Sequence, residues 1–304
     1  MPCFHPLQAY KTACGDVVFH ESARVDVVRS LSLPCGQCVG CRLERSRQWA
    51  TRCMHEASLY KNNMFITLTY NDENLPLDRS LNYDHFQRFM KRFRKNHKGM
   101  EERNGKRAIR FYMAGEYGEQ FGRPHFHACI FNFCFTDKKV FKRTPSGSII
   151  YTSEQLSALW PYGYASIGDV NFQSAAYVAR YIMKKVNGDL AAQHYEYVTD
   201  DGEIVDRRPE FTKMSLKPGI GYDWYDQYKT DVYPHDYVVV NGRKVRPPRF
   251  YDKKFKLEHP EEFEVVEFER EKSRIRNFQD NTDARLRDKE QVANARLSML
   301  KRCL

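Results

Sequence analysis

Residues 122–131, GRPHFHACIF, decide how this chain is read. Two histidines stand one residue apart inside an apolar run. In a strand, residues two apart point to the same face. His125, His127 and Cys129 therefore share one side, and Phe126, Ala128 and Ile130 the other. Two imidazoles on one strand face can chelate a single metal ion. About fifty residues downstream, YVARYIMK at 177–184 reads as a helix carrying Tyr177 and Tyr181 at i and i+4. Each tyrosine is followed three residues later by a base, Arg180 and Lys184. A metal-binding strand together with a tyrosine-bearing helix points to phosphoryl transfer by a tyrosine nucleophile.

A third ligand is expected from Glu116, nine residues before His125 in AGEYGEQFGRPHFH. If 108–116 and 124–133 form a hairpin, Glu116 ends one strand where His125 opens the next. Two imidazoles and one carboxylate leave positions open on a divalent ion, Mg²⁺ or Mn²⁺, for a phosphate oxygen. The plain alternative is two hydrogen-bonded histidines and a loop glutamate. For the helix it is an amphipathic element packing Tyr177, Val178 and Tyr181 into a core. A free tyrosine, with a pKa near ~10, attacks poorly until its target is polarised, and Lys184 offers positive charge near the same helix face.

The chain has 304 residues, long enough for one large domain or two smaller ones. Lys and Arg number 49 against 39 Asp and Glu, a surplus of 10, and aromatic residues make up 14%. That balance favours a polyanion, with rings on which bases stack. The start, MPCFHPLQAY, has no basic segment followed by an apolar one, and no apolar run approaches the ~18 residues of a membrane span. No secretory signal or membrane partner is expected. Nine cysteines without export imply a reducing compartment, so thiols or a metal site are expected rather than disulfides.

Along the chain, residues 1 to about 40 read as irregular and about 42–60 as a helix. MFITLTY at 64–70 reads as a buried strand, its Thr67 and Thr69 assigned to packing rather than DNA contact. Residues 83–96 read as a helix with Phe86, Phe89, Met90 and Phe93 on one stripe. Strands follow at 108–116, 124–133 and 164–170, and helices at 153–159 and 174–186. This order predicts an α+β fold, an antiparallel sheet with packed helices. The expected divisions are a Cys-rich segment and basic helix at 1–60, a catalytic core at 61–190, an aromatic and basic accessory region at 191–257, and a charged tail at 258–304, helical or partly disordered.

Three segments taken together, FITLTYNDENLP (65–76), GEYGEQFGRPHFHACIF (115–131) and YVARYIMKK (177–185), resemble the three motifs of HUH endonucleases that initiate rolling-circle replication. The tandem tyrosines resemble the two-tyrosine branch of the Microviridae. The flanking LPCGQCVGCRLERSRQWATRCMHE (33–56) and KPGIGYDWY (217–225) resemble the gokushovirus replication initiators. One departure is Arg180, where related helices often carry lysine. The resemblance implies a metal-dependent nickase and strand transferase acting on single-stranded DNA at a replication origin, in the cytoplasm of a bacterial host. The host's polymerase and helicase would be its partners. No GxxxxGK[ST] motif is present, so no ATPase or helicase activity is expected within the chain. A non-catalytic single-strand-binding or packaging protein, and an HUH transposase or relaxase, are the rival readings.

Cys35, Cys38 and Cys41 stand at CxxCxxC spacing, which suits tetrahedral zinc. A fourth ligand is needed, and Cys3, His5, Cys14, Cys53 and His55 are available; Cys3, in a similarly irregular segment, is favoured. The alternative is three free thiols at a helix start.

Overall fold

The computed structural model describes residues 3–20, 26–118, 121–145, 147–184, 190–199 and 201–299. In chain order the elements begin with β1 (Leu7–Thr12), β2 (Val17–Val18), β3 (Val27–Leu33), α1 (Val39–Ser58), β4 (Asn63–Tyr70) and α2 (Tyr83–Asn96). Next come β5 (Arg110–Tyr117), β6 (Pro124–Phe131), β7 (Lys139–Arg143), β8 (Ile149–Thr152), α3 (Glu154–Leu159), β9 (Gly163–Gly168) and α4 (Phe172–Lys184). The remainder is α5 (Leu190–Tyr195), β10 (Glu196–Val198), β11 (Ile204–Asp206), β12 (Phe211–Met214), α6 (Tyr222–Val232), β13 (Val238–Val240), β14 (Arg243–Val245), α7 (Arg249–Glu258), α8 (Pro260–Arg276) and α9 (Asp283–Met299). None of the described helices is long and apolar enough to cross a membrane.

Among the described residues the chain divides into two compact units, one Ser46–Val266, the other the residues up to Arg45 together with those from Glu267 on. The larger unit is α+β, as expected. Its seven-stranded sheet runs β12-β5-β6-β4-β9-β8-β7, every neighbouring pair antiparallel. The alternation read from the sequence sorts the two faces. Ile66, Leu68 and Tyr70 of β4 and Phe126, Ala128 and Ile130 of β6 face one core. There α2 lays down Phe86, Phe89, Met90 and Phe93, spaced one helical turn apart, all buried. Asn82 caps that helix by accepting from the Asp84 N–H. On the opposite face Phe65, Tyr112, Cys129 and Phe131 pack with Ala50 and Cys53 of α1 and Ala175, Val178 and Ala179 of α4.

The KPGIGYDWY segment is anchored by a buried polar network. Glu56 of α1 accepts from Arg110 Nε at 2.5 Å and from the Gly221 N–H at 2.7 Å. Arg110 also donates to the Pro218 carbonyl at 2.8 Å, and Arg52 to that of Ile220 at 2.9 Å. Gly221 has φ +77°, and a Cβ there would lie 2.7 Å from the Tyr251 hydroxyl. A side chain at this position meets both a strained backbone and a filled space.

Several parts of the fold depart from the sequence reading, the unread strands β7 and β8 of the central sheet among them. The first 40 residues, read as irregular, hold a three-stranded antiparallel sheet, β2-β1-β3, in the smaller unit. Five of the seven residues of β3 are exposed, so burial imposes no alternation on its sequence. Phe211–Met214, in a stretch without strand signals, pairs with β5 and forms one sheet edge.

Candidate functional site

β5 and β6 pair so that Glu116 stands directly opposite His125, and Ala114 opposite His127. The pleat turns all four toward the face covered in part by α1 and α4. Glu116 Oε1 lies 2.5 Å from His125 Nε2 and 2.9 Å from His127 Nε2. Three ligand atoms thus converge on one point, from a carboxylate that is 2% exposed.

The other ring nitrogens are held as well. His125 Nδ1 is 3.0 Å from the Arg123 carbonyl oxygen, which can only accept. Nδ1 therefore donates to that carbonyl, which orients the ring and turns Nε2 toward Glu116. His127 Nδ1 is 2.9 Å from the Thr67 hydroxyl, which can accept in the same way. Thr67, assigned to packing in the sequence reading, touches a candidate ligand instead. Strand alternation separates it from Ile66 and Leu68, but only the register Thr67↔His127 brings it to the imidazole. Burial opposes ionisation of Glu116; the hydrogen bonds and charges of His125 and His127 outweigh that and hold its pKa below the usual carboxylate value. The donor set, two imidazole nitrogens and an anionic oxygen, suits a divalent ion and leaves coordination positions open.

The helix bearing the tyrosines is fixed at its start by a reciprocal cap. Ser174 N–H donates to Asn171 Oδ1 at 2.8 Å, and Asn171 N–H to Ser174 Oγ at 2.9 Å. Ser46 of α1 donates to the Ala176 carbonyl at 3.0 Å. The rings of the half-buried Tyr177 and of His127 stand nearly perpendicular, centroids 5.2 Å apart. The backbone of Tyr181 and Lys184 continues α4, about 6 and 10 Å further along its axis. Their side chains lie outside the described residues.

A second cluster lies in the smaller unit. The sulfurs of Cys3, Cys35, Cys38 and Cys41 all lie within 4.8 Å of one another. Sγ–Sγ separations are 3.7 Å for Cys3–Cys35 and 4.0 Å for Cys35–Cys41 and Cys3–Cys38. A zinc tetrahedron with ~2.3 Å bonds has edges of about 3.8 Å. Backbone N–H groups of Phe4, Cys35 and Cys38 donate to Cys38, Cys3 and Cys35 sulfurs. Burial opposes the Cys38 thiolate, but hydrogen bonds from the Phe4 and Cys41 backbone and from neighbouring thiols bring its pKa down to about 6. Burial raises those of Cys3 and Cys41. Of the five candidates for the fourth position, Cys3 is the one brought to the other three.

A family model described as replication-associated protein ORF2/G2P matches residues 63–186, the span from β4 through α4. The replication-associated protein VP4 of Bdellovibrio phage phiMH2K is 36% identical over 265 residues, 86% of this chain and 80% of the relative. The chain belongs to the replication-associated proteins of microviruses. Within that family, the replication-associated protein ORF2 of Spiroplasma virus 4 is 31% identical over 293 residues, covering 90% of this chain and 86% of the relative. The replication-associated protein ORF4 of Chlamydia phage 1 is 30% identical over 228 residues, covering 73% of this chain and 53% of the relative. No solved structure is significantly similar to this replication-associated protein.

Proposed function

We propose that this microvirus replication-associated protein initiates rolling-circle replication by nicking and rejoining single-stranded DNA at the origin through a covalent tyrosine link. The observation that carries the reading is Glu116 Oε1 set between the Nε2 atoms of His125 and His127, with the Tyr177 ring packed nearly perpendicular to His127. Glu116, His125 and His127 would hold Mg²⁺ or Mn²⁺, which when bound polarises a phosphate oxygen of the scissile bond.

Tyr177 or Tyr181 gives up its hydroxyl proton to water, and its oxygen attacks the phosphorus in line with the leaving oxygen. The Oη–P bond forms, the P–O3′ bond breaks, and the 3′ oxygen takes a proton and departs as a free hydroxyl. Lys184 contributes positive charge on the same helix. The tyrosyl ester keeps the transfer potential of the original diester, so a 3′ hydroxyl reverses the step without ATP. With two tyrosines, the second cuts the regenerated origin while the first still holds the old end. Origin DNA, and the host's polymerase and helicase, are the expected partners, in the cytoplasm of the bacterial cell. Cys3, Cys35, Cys38 and Cys41 would hold a structural Zn²⁺.

The test is incubation of the full-length protein with labelled single-stranded origin DNA and Mn²⁺ or Mg²⁺, followed by a denaturing gel. A protein–DNA adduct that disappears in the His125→Ala/His127→Ala variant is expected. Undiminished metal-dependent nicking by that variant would overturn the assignment.

A further inference from the structure

The candidate metal ligands belong to a longer row. Across four neighbouring strands the register aligns Glu116 of β5, His125 of β6, Thr69 of β4 and Tyr164 of β9. All four side chains leave the same face of the sheet, because paired residues in a ladder share a face. Toward β5, β6 and β12 this face is covered by α4, and Tyr112, Cys129 and Phe131 are fully buried. Toward β4 and β9 it opens: Thr67, Thr69 and Ser166 are half-buried, and Tyr164 is 71% exposed.

An aromatic ring standing out of a strand next to the centre of a seven-stranded sheet needs a reason. Its neighbours Ala165 and Ile167 are buried on the far side, so the strand position is fixed and the ring is left to solvent. Two interstrand spacings of ~4.8 Å separate Tyr164 from His125, about 10 Å. That is the scale between a phosphate and the base of a nearby nucleotide. The floor between them, Thr69 and Thr67, is small and hydroxylated, without apolar bulk to block a strand.

We propose that Tyr164 is a stacking platform for a nucleobase of single-stranded DNA, close to the phosphate placed at Glu116, His125 and His127. The inference rests on the DNA-nuclease reading above for the class of its ligand. Every base offers a π-face, so the platform is tolerant of sequence and acts in binding and positioning, not in the bond-breaking step. It acts on an unpaired strand, since a base inside a duplex has both faces covered by its neighbours.

The experiment measures anisotropy of fluorescein-labelled dT20 with the full chain and no added Mg²⁺ or Mn²⁺, so that binding is read apart from cleavage. Tyr164→Ala should weaken binding about 5- to 160-fold, the range for loss of one stacked base. Tyr164→Phe and Tyr164→Trp should stay within about twofold of wild type, because stacking uses the ring and not the hydroxyl. Binding to the dT20·dA20 duplex should not respond to any of the three. Dideoxy-free dT20 bearing a single 5-iododeoxyuridine at successive positions should photocrosslink to Tyr164, located by mass spectrometry of the peptide. Wild-type affinity in Tyr164→Ala, or equal loss in the Phe and Ala variants, overturns the platform. The adduct assay with metal reads the nuclease chemistry separately: a wild type that makes no adduct yet loses dT20 with Tyr164→Ala would sink the nickase and keep the platform.

Discussion

The Thr67 hydroxyl stands 2.9 Å from Nδ1 of His127, while the Nε2 of the same ring lies 2.9 Å from Glu116. A β4 residue thereby holds the ring plane of a candidate β6 ligand. Thr67→Val keeps the shape and removes that partner. Mn²⁺ affinity, measured by calorimetry, should fall about 10- to 100-fold, the usual effect of losing such a supporting contact. Thr67→Ser should restore most of it. A Val variant with wild-type affinity would show the hydroxyl to be a bystander.

The tyrosine spacing predicts division of labour. Tyr177→Phe and Tyr181→Phe should each retain a first cleavage and lose the second step that releases the circle. The double variant should bind DNA and cut nothing. Mass spectrometry of the trapped adduct checks this directly: attachment only to a third residue removes the mechanism. Attachment always to one tyrosine, with the other Phe variant fully able to terminate, removes the alternation alone.

The cysteine cluster predicts about one zinc per chain by elemental analysis of protein purified without added metal. Because binding free energy is folding free energy at such sites, Cys38→Ser should lower the thermal midpoint as well as the zinc content. A stable, zinc-free and active protein would leave four thiols without a metal role.

His55 predicts an acid-sensitive fold. Its ring is buried, stacked on Trp224 at 3.5 Å between centroids, with Nδ1 2.9 Å from the Tyr251 hydroxyl. Burial lowers its pKa to about 3, against ~6.5 in an unfolded chain. The unfolded state therefore binds the extra proton first. The stabilising contribution is complete above about pH 6.5 and is lost as pH falls toward 3. Between these limits this one group adds a slope of up to about 1.4 kcal/mol per pH unit. Urea unfolding at pH 7, 6 and 5 should give a shallower pH dependence for His55→Phe than for wild type; parallel curves would assign the acid sensitivity elsewhere.

Local order was legible in the residues themselves. The alternation of 124–131 and the stripe Phe86, Phe89, Met90, Phe93 encode strand and helix because neighbours two or three to four apart share a face. The pairs His125/His127 and Tyr177/Tyr181 follow from the same periodicities, as does the CxxCxxC spacing. Tertiary structure alone decided what those faces meet. Thr67 reaches His127 across 60 residues, Cys3 reaches Cys35 across 32, and Tyr164 joins the row of Glu116 through three strand registers. β1–β3 and β12 likewise declare themselves only through their partners. Register depends on which strands pair and in what alignment. That is settled by the packing of the sheet's apolar faces against its helices, a property no single stretch of the chain carries.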